Sequence, residues 1–226
     1  MRTDYYNKSI DPDGLLRDTL FEGEEWKKNN VETINFIQDI LNKYNVNSVL
    51  DFGCGPGWML RSLKGNFQKV GIDNSELARA MAGKHFVAHP SISDVFGNFD
   101  LIIINHVIEH LVNPIETMIE LCKLLPPNGR IIVGTPNFAS AMAVLFKEKY
   151  RMLNEPSHIS LFSLDSILRL LRDLGLQIES VAEPFFEGPY YTKENLLKID
   201  GSLEVSPPFF GNFILISARK FPKTGS

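Results

Sequence analysis

The segment Val49-Leu50-Asp51-Phe52-Gly53-Cys54-Gly55-Pro56-Gly57 decides which fold this chain is expected to adopt. Its glycines directly follow a short apolar run, and the pattern predicts a buried strand, a sharp turn and then a helix. Glycines in such a turn let the backbone approach a ligand closely. Dinucleotide-binding loops need a further glycine at position 58, where this chain has Trp58, and a phosphate-binding P-loop needs Gly-Lys-Ser/Thr, which is absent from the sequence.

Strand-like and helix-like patterns alternate on both sides of this loop. Helical spacing of apolar residues is found at 31–44, 59–63, 75–82, 114–125 and 163–174. Short apolar or β-branched runs are found at 48–52, 69–73, 86–87, 99–104, 130–134, 177–183 and 211–219. The alternation predicts an α/β fold with a doubly wound, mainly parallel seven-stranded sheet. The last two runs are expected to form a C-terminal antiparallel hairpin at one edge of the sheet.

Composition excludes several other classes of protein. The chain has 226 residues, of which 44% are hydrophobic and 22% are charged, and its net charge is −4. These values are ordinary for a globular domain and give no overall positive field for nucleic acid. No apolar run reaches the roughly 18 residues of a membrane span, and Met1–Tyr6 lacks the apolar core of a signal peptide. We therefore expect a cytoplasmic protein with no membrane span and no nucleic-acid partner.

Two carboxylates accompany the glycine loop. Asp73 ends the strand predicted after the loop and lies 20 residues beyond Gly53, the spacing at which an acidic residue accepts ribose hydroxyls. Asp51 would repel a diphosphate, so its position favours a cationic ligand.

Four blocks of the sequence together resemble the class I S-adenosylmethionine-dependent methyltransferases, and in particular their small ubiquinone-biosynthesis-like group. The blocks are VLDFGCGPG, VGID, FDLIIINHVIEHL and LLPPNGRIIVGTPN, in the family's order over residues 48–137. The later segment HISLFSLDSILRLLRDLGL is also similar to that group. The resemblance implies a Rossmann-like methyltransferase fold and S-adenosylmethionine as cofactor, with S-adenosylhomocysteine as its product. It further implies a small-molecule acceptor, which we expect to be an oxygen of a phenol, quinol, sugar or carboxylate.

The same resemblance assigns roles around the cofactor. The residues implied for its methionine part are Asp51, Gly53, Cys54, Gly55 and Gly57. Asp73 is implied for the ribose, Asn74 for the adenine, and Asn105 and His106 for the sulfonium side. The family often has an acidic residue after the third strand, whereas this chain has none before Asp94, so Ser91 or a backbone carbonyl is expected to replace it. Cys54 is interpreted as a small buried residue rather than a reactive thiol.

The segment His106-Val107-Ile108-Glu109-His110 also matches the H-x-x-E-H motif of inverted zinc peptidases. On a continuous helix, His106 and His110 would share a face and could bind zinc, with Glu109 as the base. The motif follows a buried strand directly, so His106 is expected in the connecting loop instead. We therefore predict no metal, and expect Glu109 and His110 to pair at the start of a helix and orient His106.

Two histidines are candidates for the general base that accepts the acceptor's proton. His106 follows a central strand at the edge where doubly wound folds bind ligands. His158 follows the fifth strand and precedes the late helix, where it could reach over the acceptor. His158 is the sharper prediction, although it could instead be a hydrogen-bonding residue that fixes its loop.

We predict a single domain over residues 1–226, as a monomer or homodimer. Residues 1–45 are expected to form an N-terminal helical cap, 46–137 the cofactor-binding core, and 138–226 the acceptor lid, late helix and hairpin. Acceptor selection is expected to fall to 5–26, 138–157 and 184–210. The aromatic residues of the last segment could face an acceptor or pack under a loop: Phe185, Phe186, Tyr190, Tyr191, Phe209 and Phe210. A non-catalytic S-adenosylmethionine-binding module is the alternative function.

Overall fold

The computed structural model describes residues 9–10, 16–17, 23–183, 206 and 213–222. The strands in this part of the chain are β1 Ser9–Ile10, β2 Leu16–Arg17, β3 Ser48–Phe52, β4 Gln68–Ile72, β5 Val87–His89, β6 Leu101–Asn105, β7 Arg130–Pro136, β8 Leu176–Ala182 and β9 Phe213–Lys220. The helices are α1 Gly23–Asn29, α2 Val31–Lys43, α3 Trp58–Ser62, α4 Glu76–Ala82, α5 Pro114–Lys123, α6 Ala141–Phe146 and α7 Leu164–Asp173. Single 3₁₀ turns lie at 92–94, 108–110, 147–149 and 151–153.

Seven of the described strands form one sheet in the order β5-β4-β3-β6-β7-β9-β8. The first five in this order are parallel, and β9 runs antiparallel to both of its neighbours. The chain runs outward from β3 through β4 to β5 and then returns to β6 on the other side of β3. The carboxyl ends of β3 and β6 therefore flank the point where strand order reverses, which is where open α/β sheets bind ligands.

Apolar side chains cover both faces of the sheet because neighbouring residues of a strand point to opposite sides. On one face, Leu50 packs in a cluster with residues of α5 and α7, and on the other Val49 packs with residues of α2 and α3. Strands β6 and β7 are almost entirely buried, as their continuous β-branched sequences predict. The fold is thus a three-layer α/β/α arrangement.

Most element positions predicted from the sequence are confirmed to within a few residues. Ser163 caps α7 through a reciprocal capping box with Ser166, and Gly175 follows the helix with a φ of 74°. The predicted antiparallel pair is β8 and β9, and β9 is inserted between β7 and β8 so that β8 forms the edge. No helix of the described residues has the length and apolarity that crossing a membrane requires.

Candidate functional site

The glycine loop after β3 turns tightly against β4. Gly53, Gly55 and Gly57 have φ angles of 80°, 52° and 86°, in the left-handed region that favours glycine. The amides of Gly53 and Cys54 donate to the carbonyl of Ile72 at 2.7 and 2.9 Å. A Cβ on Gly53 would collide with the side chain of Val107, and one on Gly57 would lie 2.6 Å from the Phe86 ring. Backbone conformation and crowding therefore both demand glycine at 53 and 57.

Asp73 lies just beyond the carboxyl end of β4 and fixes the loop. Its Oδ2 accepts a hydrogen bond from the amide of Gly55 at 2.9 Å, and its Oδ1 accepts one from the amide of Ser75 at 2.9 Å. The Arg79 guanidinium donates to the Asp73 carbonyl at 2.7 Å. The side chain is buried, with 4% exposure. Asp73 thus shapes the loop directly, a structural role that the sequence did not reveal.

Asp51, on β3 directly beneath the loop, is a second buried carboxylate. It is 3% exposed. Burial, and secondarily the charge of Asp73, raises the pKa of Asp51 from 3.8 to about 7. Two carboxylates in one low-dielectric site disfavour each other's charge, so the site is electrostatically suited to a positively charged ligand.

Cys54 is confirmed as a buried residue of the loop. Its side chain is 5% exposed and occupies the space beside Gly71, where a Cβ would lie 2.5 Å from the sulfur. Burial, followed by the charges of Asp51 and Asp73, raises the pKa of the Cys54 thiol well above its ordinary value. The thiol is therefore protonated and unreactive at neutral pH.

The structure places an acidic residue after β5, the third strand of the sheet in chain order. Ser91 donates to the Asp94 carboxylate at 2.7 Å, and Asp94 belongs to the 3₁₀ turn at 92–94. The turn brings Asp94 back beside Ser91, although the sequence alone placed it too far along the chain. Asn74 is exposed just beyond the end of β4. Ser91 and Asp94 together offer a polar pair at this edge.

Asn105 and His106 end β6 at the same edge of the sheet. Asn105 is the last residue of β6 and pairs with Gly134 of β7, and the His106 amide donates to the Gly134 carbonyl at 2.9 Å. His106 has a φ of 56°, which is unusual for a residue other than glycine and often marks a functional site. Its ring meets Phe213 edge to face, with centroids 5.2 Å apart.

Glu109 is fully buried and faces His106. Its Oε2 accepts a hydrogen bond from the Thr135 hydroxyl at 3.1 Å, and its Oε1 lies 3.4 Å from His106 Nδ1, a mainly electrostatic contact at that length. Burial would raise the pKa of Glu109, but the contact with His106 and the charges of His106 and His110 lower it overall. Glu109 is therefore a carboxylate that orients His106, as the sequence led us to expect.

The continuous helix required by the H-x-x-E-H interpretation does not form. The left-handed conformation of His106 interrupts the backbone, residues 108–110 make a single 3₁₀ turn, and α5 begins only at Pro114. The expectation that Glu109 and His110 lie at the start of a helix is wrong for the same reason. His106 is confirmed in the connecting segment.

His158 packs against His110 rather than standing alone in its loop. The two ring centroids are 4.8 Å apart. His158 Nδ1 lies 2.6 Å from the Met152 carbonyl, and His110 Nδ1 lies 3.0 Å from the Ser157 carbonyl. Burial lowers the pKa of His158, although its bond to Met152 and the charge of Glu109 act the other way. The proximity of Glu109, His110 and His158 could not be read from the sequence.

Two of the segments predicted to select the acceptor fall mainly outside the described residues. These are 5–26, of which only parts are described, and 184–210 with its aromatic residues, of which only Ser206 is described. The third segment, 138–157, contains α6, whose Phe146 is buried while Val144 is exposed. Phe138 contacts both Tyr150 and His158 edge to face, which fixes the start of this segment near the histidines.

The fold and the carboxylate-bearing glycine loop define a Rossmann-like protein whose ligand edge is electrostatically suited to a positively charged molecule. A family described as a methyltransferase domain matches residues 23–181. The chain therefore belongs to this methyltransferase family, as the four sequence blocks led us to expect.

Named relatives agree with this assignment. The chain is 31% identical to malonyl-[acyl-carrier protein] O-methyltransferase of Halalkalibacterium halodurans over 104 residues, 39% of this chain and 38% of that protein. It is 26% identical to the ubiquinone biosynthesis O-methyltransferase of Aromatoleum aromaticum over 148 residues, 57% of this chain and 63% of that protein. The matches thus span about a third to two thirds of the length of these curated relatives.

A solved structure shares the fold. It is the plantazolicin methyltransferase BpumL in complex with a pentazolic desmethylPZN analog and SAH, with a TM-score of 0.63 and 18% identity. The alignment covers 89% of this chain and 88% of that one.

Proposed function

We propose that this protein is an S-adenosylmethionine-dependent methyltransferase that transfers a methyl group to an oxygen of a small-molecule acceptor. The proposal rests on one observation above all: two buried carboxylates, Asp51 and Asp73, flank a glycine loop where the strand order reverses. S-adenosylmethionine carries a nucleoside, a sulfonium and an ammonium but no phosphate. Its charges match a site that would repel a diphosphate.

The proposed binding residues follow the carboxyl edge of the sheet. Asp51, Gly53, Cys54, Gly55 and Gly57 would hold the methionine part. Asp73 would accept the ribose hydroxyls, since each carboxylate oxygen can accept more than one hydrogen bond. Asn74, Ser91 and the newly located Asp94 would lie toward the adenine, and Asn105 and His106 toward the sulfonium.

His106 is the better placed of the two candidate bases. It lies at the strand-reversal edge, and the Glu109 carboxylate faces its Nδ1. A proton on Nδ1 leaves the lone pair on Nε2, the atom that would receive the acceptor's proton. His158, in contrast, contacts His110 and the Met152 carbonyl. We therefore favour the alternative reading of His158, a hydrogen-bonding residue that fixes its loop.

The reaction needs alignment of the acceptor and, for a hydroxyl acceptor, removal of its proton. When bound, S-adenosylmethionine supplies a methyl group on a sulfonium, and the sulfur leaves with the bonding electrons as neutral S-adenosylhomocysteine. His106 would take the hydroxyl proton as the new oxygen–carbon bond forms. The hydrophobic strands beneath the site and the segment 138–157 above it would exclude water and hold the acceptor in line.

The relatives support the proposal of oxygen as the acceptor atom. Both named relatives are O-methyltransferases, which favours oxygen over nitrogen or carbon. The net charge of −4 gives no general attraction for nucleic acid, so the proposed partner is a small molecule. The proposed setting is the cytoplasm.

Turnover with a panel of acceptors tests the proposal. S-adenosylhomocysteine formation is measured with phenol, quinol, sugar and carboxylate acceptors, and at least one is expected to support it. With a hydroxyl acceptor, His106→Gln should lower kcat by about 10²–10⁴-fold, the usual contribution of a general base. Cofactor binding should weaken as well, because His106 is proposed to lie toward the sulfonium. His85→Gln, at an exposed histidine that is neither candidate base, is the matched control and should retain full turnover.

Three results would count against the proposal. Failure to bind S-adenosylmethionine would remove the cofactor assignment. Tight binding with no transfer to any oxygen acceptor would favour the non-catalytic module. Loss of turnover in His158→Asn but not in His106→Gln would assign the base to His158.

A further inference from the structure

We propose that Glu109, His110 and His158 form a binding site for one divalent transition-metal ion. One ligand atom from each residue lies within 4.8 Å of the others. This set differs from the sequence motif, because it takes its third residue from a loop 48 positions later rather than from His106. It also runs against our expectation from the sequence that the protein binds no metal.

Hydrogen bonds orient both imidazoles in the way that metal-binding histidines are usually oriented. His110 Nδ1 lies 3.0 Å from the Ser157 carbonyl, and His158 Nδ1 lies 2.6 Å from the Met152 carbonyl. A carbonyl oxygen can only accept, so in each neutral ring Nδ1 carries the proton and Nε2 bears the lone pair. Histidines that ligate metals commonly donate their other ring nitrogen to a backbone carbonyl or carboxylate.

Glu109 supplies a buried negative charge to the same cluster. Its side chain is fully buried, and the one contact of Oε1 within the described residues is the long one to His106 Nδ1, at 3.4 Å. A buried carboxylate held by one hydroxyl and one long imidazole contact is costly unless a cation compensates it further. A divalent ion between Glu109 and the two imidazoles would provide that compensation.

The donor set selects the kind of ion. Two imidazole nitrogens and one carboxylate oxygen suit Zn²⁺ and other first-row transition metals, and leave a further coordination position for water. Mg²⁺ and Ca²⁺ prefer oxygen ligands and are expected to bind poorly here.

Binding requires a modest contraction of the cluster. With metal–ligand bonds of roughly 2.0–2.1 Å, tetrahedral donors lie about 3.3 Å apart, so the widest separation must close by about 1.5 Å. His158 is only half-buried and lies in the segment between the 151–153 turn and α7, so it has room to adjust. Its partial exposure also gives the ion a path inward.

The ion would fasten two segments that already contact each other. The Glu109 carbonyl accepts hydrogen bonds from the amides of Ile159 and Ser160, both at 2.9 Å. Ser160 Oγ donates to the Leu111 carbonyl at 2.7 Å. A metal bound by Glu109, His110 and His158 would add a stronger link between the turn after β6 and the segment that precedes α7.

Calorimetric titration of tag-free, chelator-treated protein with ZnCl₂, CoCl₂ and MgCl₂ tests the site. Zn²⁺ and Co²⁺ are expected to bind one ion per chain, and Mg²⁺ should neither bind nor compete. The visible spectrum of bound Co²⁺ provides a second readout on the unmodified protein, because nitrogen and oxygen ligation lacks the intense thiolate charge-transfer band that Cys54 or Cys122 would give.

Substitution by asparagine separates ligation from structure. His158→Asn and His110→Asn retain a side-chain N–H near the Met152 or Ser157 carbonyl but remove Nε2, and each should weaken Zn²⁺ binding at least tenfold. His85→Asn is the matched control for a histidine outside the cluster and should leave binding unchanged.

Absence of stoichiometric Zn²⁺ binding would overturn the proposal, as would binding unaffected by both variants or a thiolate band in the Co²⁺ spectrum. S-adenosylmethionine affinity is measured on the same samples. The two measurements are independent, so the metal proposal can fail while the methyltransferase proposal stands. Equally, the methyltransferase proposal can fail while the metal proposal stands.

Discussion

The carboxylates of Asp51 and Asp73 are both buried beside the glycine loop, and the charge of Asp73 adds to burial in raising the pKa of Asp51 to about 7. The two residues lie at the ends of neighbouring strands, where Asp51 pairs with Gly71 and Asp73 follows Ile72. The free protein therefore holds a proton that a cationic ligand would displace.

Cofactor affinity should rise with pH between 6 and 8. Below pH 7 Asp51 is protonated, so binding of a cation that favours the carboxylate must release a proton. The dissociation constant should increase by up to about tenfold for each pH unit below 7. Calorimetry in buffers of different ionisation enthalpy measures both affinity and proton release. Asp51→Asn should bind more weakly and with a flat profile, and an equal pH slope in both proteins would contradict the assignment.

Asp51 should also reduce the stability of the ligand-free protein at high pH. Its folded pKa is raised above the ordinary 3.8, so the folded state retains a proton that the unfolded chain releases. The stability contributed by that proton is fully present below about pH 4 and declines as pH rises. It is lost once pH passes the folded-state pKa of Asp51, about 7. Asp51→Asn should therefore unfold at a higher temperature than wild type at pH 8 but not at pH 4. A Tm difference independent of pH would disprove this linkage.

Removal of the Asp73 carboxylate should weaken cofactor binding by about 1.5–3 kcal/mol, roughly ten- to hundredfold, the range for hydrogen bonds to a charged group. Asp100→Ala is the matched control, since Asp100 also accepts a hydrogen bond from a backbone amide, that of Asn47 at 2.8 Å, but at the opposite end of the sheet. Asp73→Ala is expected to bind the cofactor more weakly than wild type, and Asp100→Ala to bind it equally well. Similar cofactor affinities for the two variants would show that Asp73 supports the loop but does not contact the cofactor.

Alanine at Gly53 should destabilise the protein more than alanine at Gly175. Both positions have positive φ, 80° and 74°, so both substitutions carry the left-handed penalty of roughly 1–2 kcal/mol. At Gly53 the new methyl group would meet the side chain of Val107, whereas at Gly175 no atom of the described part of the chain lies within 4 Å. Urea unfolding of the two variants isolates this overpacking cost, about 1–3 kcal/mol. Equal losses would mean that the loop relaxes away from Val107.

Neither cysteine should react with a disulfide reagent while the protein is folded. Burial raises the pKa of Cys54 strongly and that of Cys122 to about 11, so little thiolate exists at pH 8. Labelling should become rapid only in denaturant. Fast reaction of the native protein would show that Cys54 is more accessible than its 5% exposure indicates.

The sheet and the glycine loop were predictable because local sequence determines them. Continuous β-branched runs such as Leu101–Ile104 require burial on both faces, and clustered glycines require a tight turn. The ribose role of Asp73, inferred from its spacing to that turn, and the cationic ligand inferred beside Asp51 stay predictions. The strands and the glycine turn each depend on residues within a few positions of one another.

The contacts of the histidines were not predictable because they join distant parts of the chain. His110 meets the carbonyl of Ser157, 47 positions later, and no periodicity in the sequence records that approach. The H-x-x-E-H pattern also suggests a helix, and only the left-handed backbone of His106 shows why none forms there. Asp94 was discounted for a similar reason, since a single 3₁₀ turn returns it to Ser91.

The position of β9 between β7 and β8 has a consequence for synthesis on the ribosome. Until residues 213–220 emerge, the edge of β7 has no partner on that side, and buried residues such as Ile131 and Val133 lack part of their cover. At usual elongation rates this interval lasts on the order of ten seconds. An unpaired hydrophobic strand edge is a template for aggregation, so nascent chains should need chaperone protection during this interval, and chains released before Phe213 should accumulate as insoluble material.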